Sequence, residues 1–239
     1  MAIQKDTEFT GRIDNLIYYK WKELYCIRTA PAHIRQSEAT KQAAKNFGLA
    51  SAQSKNIRCL LAPLIKNARD KALHVRLRKE LMTTLSRARS ESGPAGIHPL
   101  SGFRFNETAA LSHFLLFPIA TARQDDDTFN IEIPAIDPGT NLNAPSGATR
   151  TQLDFLALRL GLNDTEVHRS TTATINIQLT EGVQEAQRVE ARISGTAKGI
   201  TLLIASLSFW KGNERIASGA YNPVDVISVW LEAAVETTA

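Results

Sequence analysis

Two cysteines are all this 239-residue chain has, Cys26 and Cys59, and their spacing makes neither a disulfide framework nor a metal motif. Both are expected as free, buried thiols in a reducing, cytoplasmic setting. Long apolar runs are also missing. The longest stretch, around Ile200–Phe209, is interrupted by Thr and Ser and is the length of a strand, which argues against a transmembrane helix. The first residues, MAIQKDTEF, have no apolar segment of the secretory type, so no signal peptide is expected. The five histidines (His33, His74, His98, His113, His168) never pair at metal-ligand spacing. The glycines match neither a phosphate-binding loop nor a dinucleotide fingerprint, and no serine stands in a nucleophile elbow. Only Asp125–Asp127 offers clustered oxygen ligands, and without further spaced ligands it reads as a solvated turn rather than a cation loop. No catalytic residue, cofactor or metal follows from these patterns, so the expected role is non-enzymatic.

Hydrophobic content of 43% and charged content of 22% are those of an ordinary globular protein. The net charge of +4 hides an asymmetry. Residues 1–92 carry 18 Lys+Arg against 8 Asp+Glu, whereas residues 93–239 carry 10 against 16. This predicts a basic N-terminal module joined to an acidic domain, with the Gly/Pro/Ser-rich stretch Ser90–Gly102 as the boundary.

Within the first module, Phe9–Ile17 and Tyr18–Thr29 read as antiparallel strands with one wet face, turning at Asp14–Asn15 or Lys22–Glu23. Their aromatics alternate with Lys20, Lys22 and Arg28, which fits either a half-buried sheet face or a stacking platform for nucleic acid. Pro31 ends the strand, and Ser37 with Glu38 in the following turn starts a helix. Ala43, Phe47, Ala50, Ser54, Ile57, Leu61 and Leu64 form a heptad-like seam along it, with Lys41, Lys45 and Lys55 on the opposite face. Gly48 is a place where this helix could divide, and Pro63 should kink or stop it. A second basic helix over 67–87 carries Leu73, Leu77, Leu81 and Leu85 at four-residue spacing. Together the two form a helical hairpin.

Beyond the boundary the pattern changes to period two, with strands expected near Phe103–Phe105, His113–Thr121, Phe129–Ile133, Gln152–Leu160, Thr171–Leu179, Arg188–Ser194, Ile200–Phe209 and Val224–Trp230. The expected fold is α+β and mainly β: an antiparallel, immunoglobulin-like sandwich behind an N-terminal β-hairpin and helical hairpin.

Two candidate surfaces follow. Tyr19, Trp21, Arg28, Phe47, Ile57 and Leu61 form an expected partner interface, serving self-association or contact with other structural proteins. Lys41, Lys45, Lys55, Arg58, Arg76, Arg78 and Lys79 form an expected polyanion surface, which makes nucleic-acid binding the alternative role. Carbohydrate or peptide binding at the sandwich loops rests on fold analogy alone.

Several segments carry a resemblance. Gly11-Arg-Ile-Asp-Asn-Leu-Ile-Tyr-Tyr-Lys20, Ile27-Arg-Thr-Ala-Pro31, Asn46-Phe-Gly-Leu-Ala-Ser51 and, more loosely, Gly102-Phe-Arg-Phe-Asn106 and Tyr221-Asn-Pro223 resemble a group of uncharacterised Bacteroidetes proteins. That group opens with a G-x-x-G-N-hydrophobic-Y-K…R-x-x-P block. Asp14 stands where the group has its second glycine, so the resemblance alone does not supply a tight turn there. The opening block is also weakly similar to small phage structural proteins. The resemblance implies a β-rich protein with a helical N-terminal insert, phage-like or associated with the cell envelope, and no catalytic residues.

Overall fold

The computed structural model describes residues 3–5, 8–32, 36–68, 70–89, 98–179, 182–193 and 199–231. They fall into two units, Met1–Ala43 and Ala44–Ala239. Most of the expected boundary stretch, 90–97, and His33 lie outside the described residues.

The first unit is a four-stranded antiparallel sheet: β1 (Ile3–Lys5), β2 (Glu8–Ile13), β3 (Leu16–Trp21) and β4 (Leu24–Thr29), in that order. Both proposed turns form, so the expected hairpin is one strand pair too few. Asp14 (φ +52°) and Lys22 (φ +55°) take the left-handed backbone that each two-residue connection requires. Asp14 therefore does the work of a glycine, with its carbonyl accepting from Arg12 Nε at 2.8 Å. Ser37 caps the next helix as expected, its Oγ accepting from Thr40 N–H at 3.2 Å.

That helix, α1 (Glu38–Leu60), continues into the second unit and runs unbroken through Gly48. Pro63 ends it and opens the short α2 (Ala62–Ile65). The next helix, α3 (Leu73–Arg89), starts later than the apolar period suggests, because Asp70 Oδ1 accepts from Ala72 N–H at 2.8 Å and fixes the entry to the helix there.

The rest of the second unit contains β5 (Ala120–Arg123), β6 (Thr128–Ile133), α4 (Pro138–Asn141), β7 (Arg150–Gly161), β8 (Val167–Arg169), β9 (Ala173–Gln178), β10 (Gln187–Arg192), β11 (Gly199–Lys211), β12 (Glu214–Arg215) and β13 (Val224–Leu231). Strand exceeds helix, and the sheets are antiparallel, as expected. One sheet runs β10-β6-β5. The other is built on β7 and β11, flanked by β8, β9, β12 and β13. The expected strand Phe103–Phe105 only bridges to β13 through Arg104 and Asp225, and part of His113–Thr121 is a 3₁₀ turn at Leu111–His113.

The long strands β7 and β11 are apolar on both sides, and both sides are covered. Leu153, Phe155, Ala157, Leu203, Ala205 and Leu207 meet Phe129, Ile131 and Ala191 of the smaller sheet. Leu156, Leu158, Leu160, Ile200, Leu202 and Ile204 meet Ala50, Ile57 and Leu61 of α1 and the leucines of α3. Three layers result: small sheet, large sheet, helices.

This overturns the domain boundary at residue 92. The helices are the third layer of the second unit, and the strands before them belong to the first. The charge split changes meaning with it: residues 1–43 hold seven Lys+Arg and five Asp+Glu, residues 44–239 hold 21 and 19. Basic helices on acidic strands leave the second unit at +2, and the first unit is +2 as well.

Polar contacts also fix the helix layer. Gln53, fully buried, donates to the carbonyls of Gly161 (2.6 Å) and Asp164 (2.9 Å), and Arg169 donates to the Leu60 carbonyl at 3.0 Å. Among the described residues no helix is long and apolar enough to cross a membrane.

Candidate functional site

In the first unit, alternation along paired strands sorts the side chains into two faces. The pairs Trp21↔Leu24, Tyr19↔Cys26 and Ile17↔Arg28 lie on one, with Arg12 opposite Ile17. Lys20↔Tyr25, Tyr18↔Ile27 and Leu16↔Thr29 lie on the other, with Ile13, and Phe9 against Tyr18 at 6.0 Å between ring centroids. A wet face was expected; both faces are apolar. Within residues 9–32 no side chain is buried, and Trp21, Leu24 and Ile27 are 63%, 66% and 60% exposed. Cations sit on the aromatics: Arg28 over Tyr19 (5.9 Å), Lys20 over Tyr25 (5.3 Å) and Lys22 over Trp21 (5.7 Å). The sheet thus combines a large exposed apolar surface with no interior of its own.

The β4 edge adds directionality. Register with β3, continued by Ala30 N–H donating to the Asn15 carbonyl at 2.6 Å, turns the backbone groups of residues 24, 26, 28 and 30 toward β3. Tyr25, Ile27 and Thr29 therefore present their N–H and C=O groups along the edge. Arg28 is the one charged side chain on this strand, and proline is absent from it.

Of the expected interface residues, Tyr19, Trp21 and Arg28 share one face of this sheet. Phe47 is exposed on α1 in the other unit, with the Arg78 guanidinium 4.7 Å from its ring. Ile57 and Leu61 are corrected outright. Both are 0% exposed in the core beneath the large sheet, because the seam packs inside its own chain.

The polyanion set divides likewise. Lys45, Lys55 and Lys79 are exposed, and Arg58 is half-buried with Nε donating to the Ser54 carbonyl. Lys41 pairs with Glu38 at 2.7 Å in the first helical turn. Arg76 is not available as a phosphate ligand: it ion-pairs with Asp70, donates to the Arg104 carbonyl at 2.9 Å and stacks on Phe103.

The aspartate turn serves the fold. Asp125 Oδ1 accepts from Asp127 N–H (2.8 Å) and Thr128 N–H (2.7 Å), and these bonds, the first foremost, hold its carboxyl below the ordinary range. Asp126 pairs with Arg123, and Asp127 meets the buried Arg159 of β7, each at 2.7 Å. Neither cysteine is buried as expected: both thiols are free, Cys26 half-buried and Cys59 exposed. Among the described residues no group of three metal-ligating side chains comes together.

Sequence reasoning missed Asp225. It lies on β13 in a cleft with Arg104, Ser112 and His113; its Oδ2 accepts from Leu111 N–H at 2.8 Å, and its buried Oδ1 has no partner. Burial pushes its carboxyl up to about 6. An isolated Asp in a V-x-V strand gives no such signal. No family model, curated protein or solved structure matches the chain.

Proposed function

We propose that this chain is a structural assembly protein whose copies join through the N-terminal sheet, with the three-layer unit, a sandwich as in the immunoglobulin-like reading, as the scaffold they carry. The observation that carries the reading is the pairing of two exposed apolar faces with a β4 edge that no other described strand pairs, in a sheet without an interior. The edge is also self-complementary. An antiparallel two-fold centred on Ile27 sets Ile27 against Ile27 and Tyr25 against Thr29, so outward N–H and C=O groups meet without shifting register. Arg28 then faces Cys26 rather than another cation, and a nearly neutral unit sets little repulsion against closure. The similarity to small phage structural proteins points the same way.

Ile27→Pro tests this. It removes an outward N–H while leaving the β3 pairing groups in place, so the expected result is loss of the oligomer with an unchanged unfolding transition of the larger unit. Ile27→Cys in a Cys26→Ser background should form an inter-chain disulfide on oxidation. A monomeric parent chain, or an oligomer untouched by Ile27→Pro and uncrosslinked by Ile27→Cys, contradicts the proposal.

A further inference from the structure

The corner where α1 gives way to α2 and α3 holds an open groove of about 550 Å³. Arg58 enters it from the last turn of α1, Lys66 from the end of α2, Lys71 and His74 from the start of α3. Its apolar parts include Ala62 and Ile65, and its one carboxylate is Asp70. That carboxylate is turned inward: its side chain is 4% exposed, Oδ2 pairs with Arg76 and Oδ1 caps Ala72. Its charge is thus already neutralised. Among the described residues, Arg58, Lys66, Lys71 and His74 have no ion-pair partner at all.

Like charges gathered in a concavity repel one another and cost stability unless something anionic is held there, and a concave wall concentrates their field. A single carboxylate would satisfy one of these groups. A phosphate, with several oxygens and up to two charges, offers acceptors to more than one of these donors at a time. We propose that this groove is a binding site for a phosphate group, carried by a small phosphorylated molecule or by a nucleic-acid strand. Of the residues that sequence reading assigned to polyanions, only Arg58 belongs to it. The others lie along the exposed backs of the helices or are consumed by the fold. This site is independent of the assembly surface.

Cys59 lies in the groove and reports on it. In the full-length Cys26→Ser chain, millimolar inorganic phosphate should slow modification of Cys59 by a dianionic aromatic disulfide, and Lys66→Ala with Lys71→Ala should abolish the protection. The same pair should weaken phosphate binding in a calorimetric titration by on the order of tenfold or more. Lys45→Ala with Lys79→Ala, which removes exposed charge elsewhere on the helices, should change it by less than about twofold.

A single-stranded oligothymidylate separates the sources. If the ligand is a nucleic-acid strand, it binds far more tightly than phosphate. Its affinity then falls with salt at a logarithmic slope of about −2 for three neutralised phosphates, reduced by about 1.4 in the groove variant. If the ligand is a small phosphorylated molecule, inorganic phosphate binds and the oligonucleotide gains nothing. The proposal fails if neither probe binds and Cys59 is unprotected, or if the Lys45/Lys79 variant loses as much as the groove variant.

Discussion

Asp225 and Arg159 show what single buried charges do here. The Asp225 carboxyl, pushed up to about 6 by burial, has a folded value above its ordinary 3.8. The protonated form is therefore favoured by folding: the stabilisation is complete below pH 4 and is lost as pH rises through about 6. Urea unfolding should show stability declining across that window by on the order of 2 kcal/mol, and Asp225→Asn, which cannot ionise, should remove that step. An unchanged pH profile in the variant would assign the step elsewhere. Arg159 is asymmetric in another way, because its partner Asp127 is half exposed while its own guanidinium is not. Asp127→Ala takes the facing carboxylate from a buried cation that keeps its bonds to the Asp126 carbonyl and Thr201 Oγ1, and should cost about 2–3 kcal/mol, whereas Arg159→Met leaves a carboxylate that water can reach and should cost less. Equal losses would contradict this account. Neither role was legible in sequence, since Asp225 and Arg159 sit singly in apolar strands and acquire meaning only from what packs over them.

At the scale of elements, two glycines in regular structure have opposite standing. Gly48 lies on the exposed side of α1, and a methyl group there would touch nothing within 4 Å, so Gly48→Ala should stabilise by about 0.5–1 kcal/mol. Gly199 opens β11 against the Leu160 carbonyl of β7, and a Cβ there would overlap backbone, so Gly199→Ala should cost about 1–3 kcal/mol. Thermal unfolding of the two variants checks both signs. Elements with strong periodicity were the legible ones. The leucines of α3 are buried at the expected spacing, and β7 and β11 form over nearly the expected residues. Partners were harder to read. Ala50, Ser54, Ile57 and Leu61 form a good seam in sequence, but a seam does not say whether it packs on another chain or on the chain's own sheet. Gln53, reaching two carbonyls of the second unit, decides for the sheet. Either turn, at Asp14 or at Lys22, closes a hairpin by itself; a four-stranded sheet uses both.

For the whole molecule, charge and apolar surface are divided between the units differently from their order along the chain. The basic N-terminal third looked like a module apart, yet its helices are one layer of the larger unit. Only the strands up to residue 29 lack an interior within their own unit. In the proposed reading these strands join copies of the chain. Absolute mass by light scattering, at low and at moderately high salt, tests it most directly. Hydrophobic faces and backbone pairing are little screened by salt, so the account predicts the same defined multiple of the chain mass, or the same polymer, at both. A single-chain mass at both salts would contradict it, and an oligomer that dissolves at high salt would show that charge rather than the β4 sheet holds the copies together.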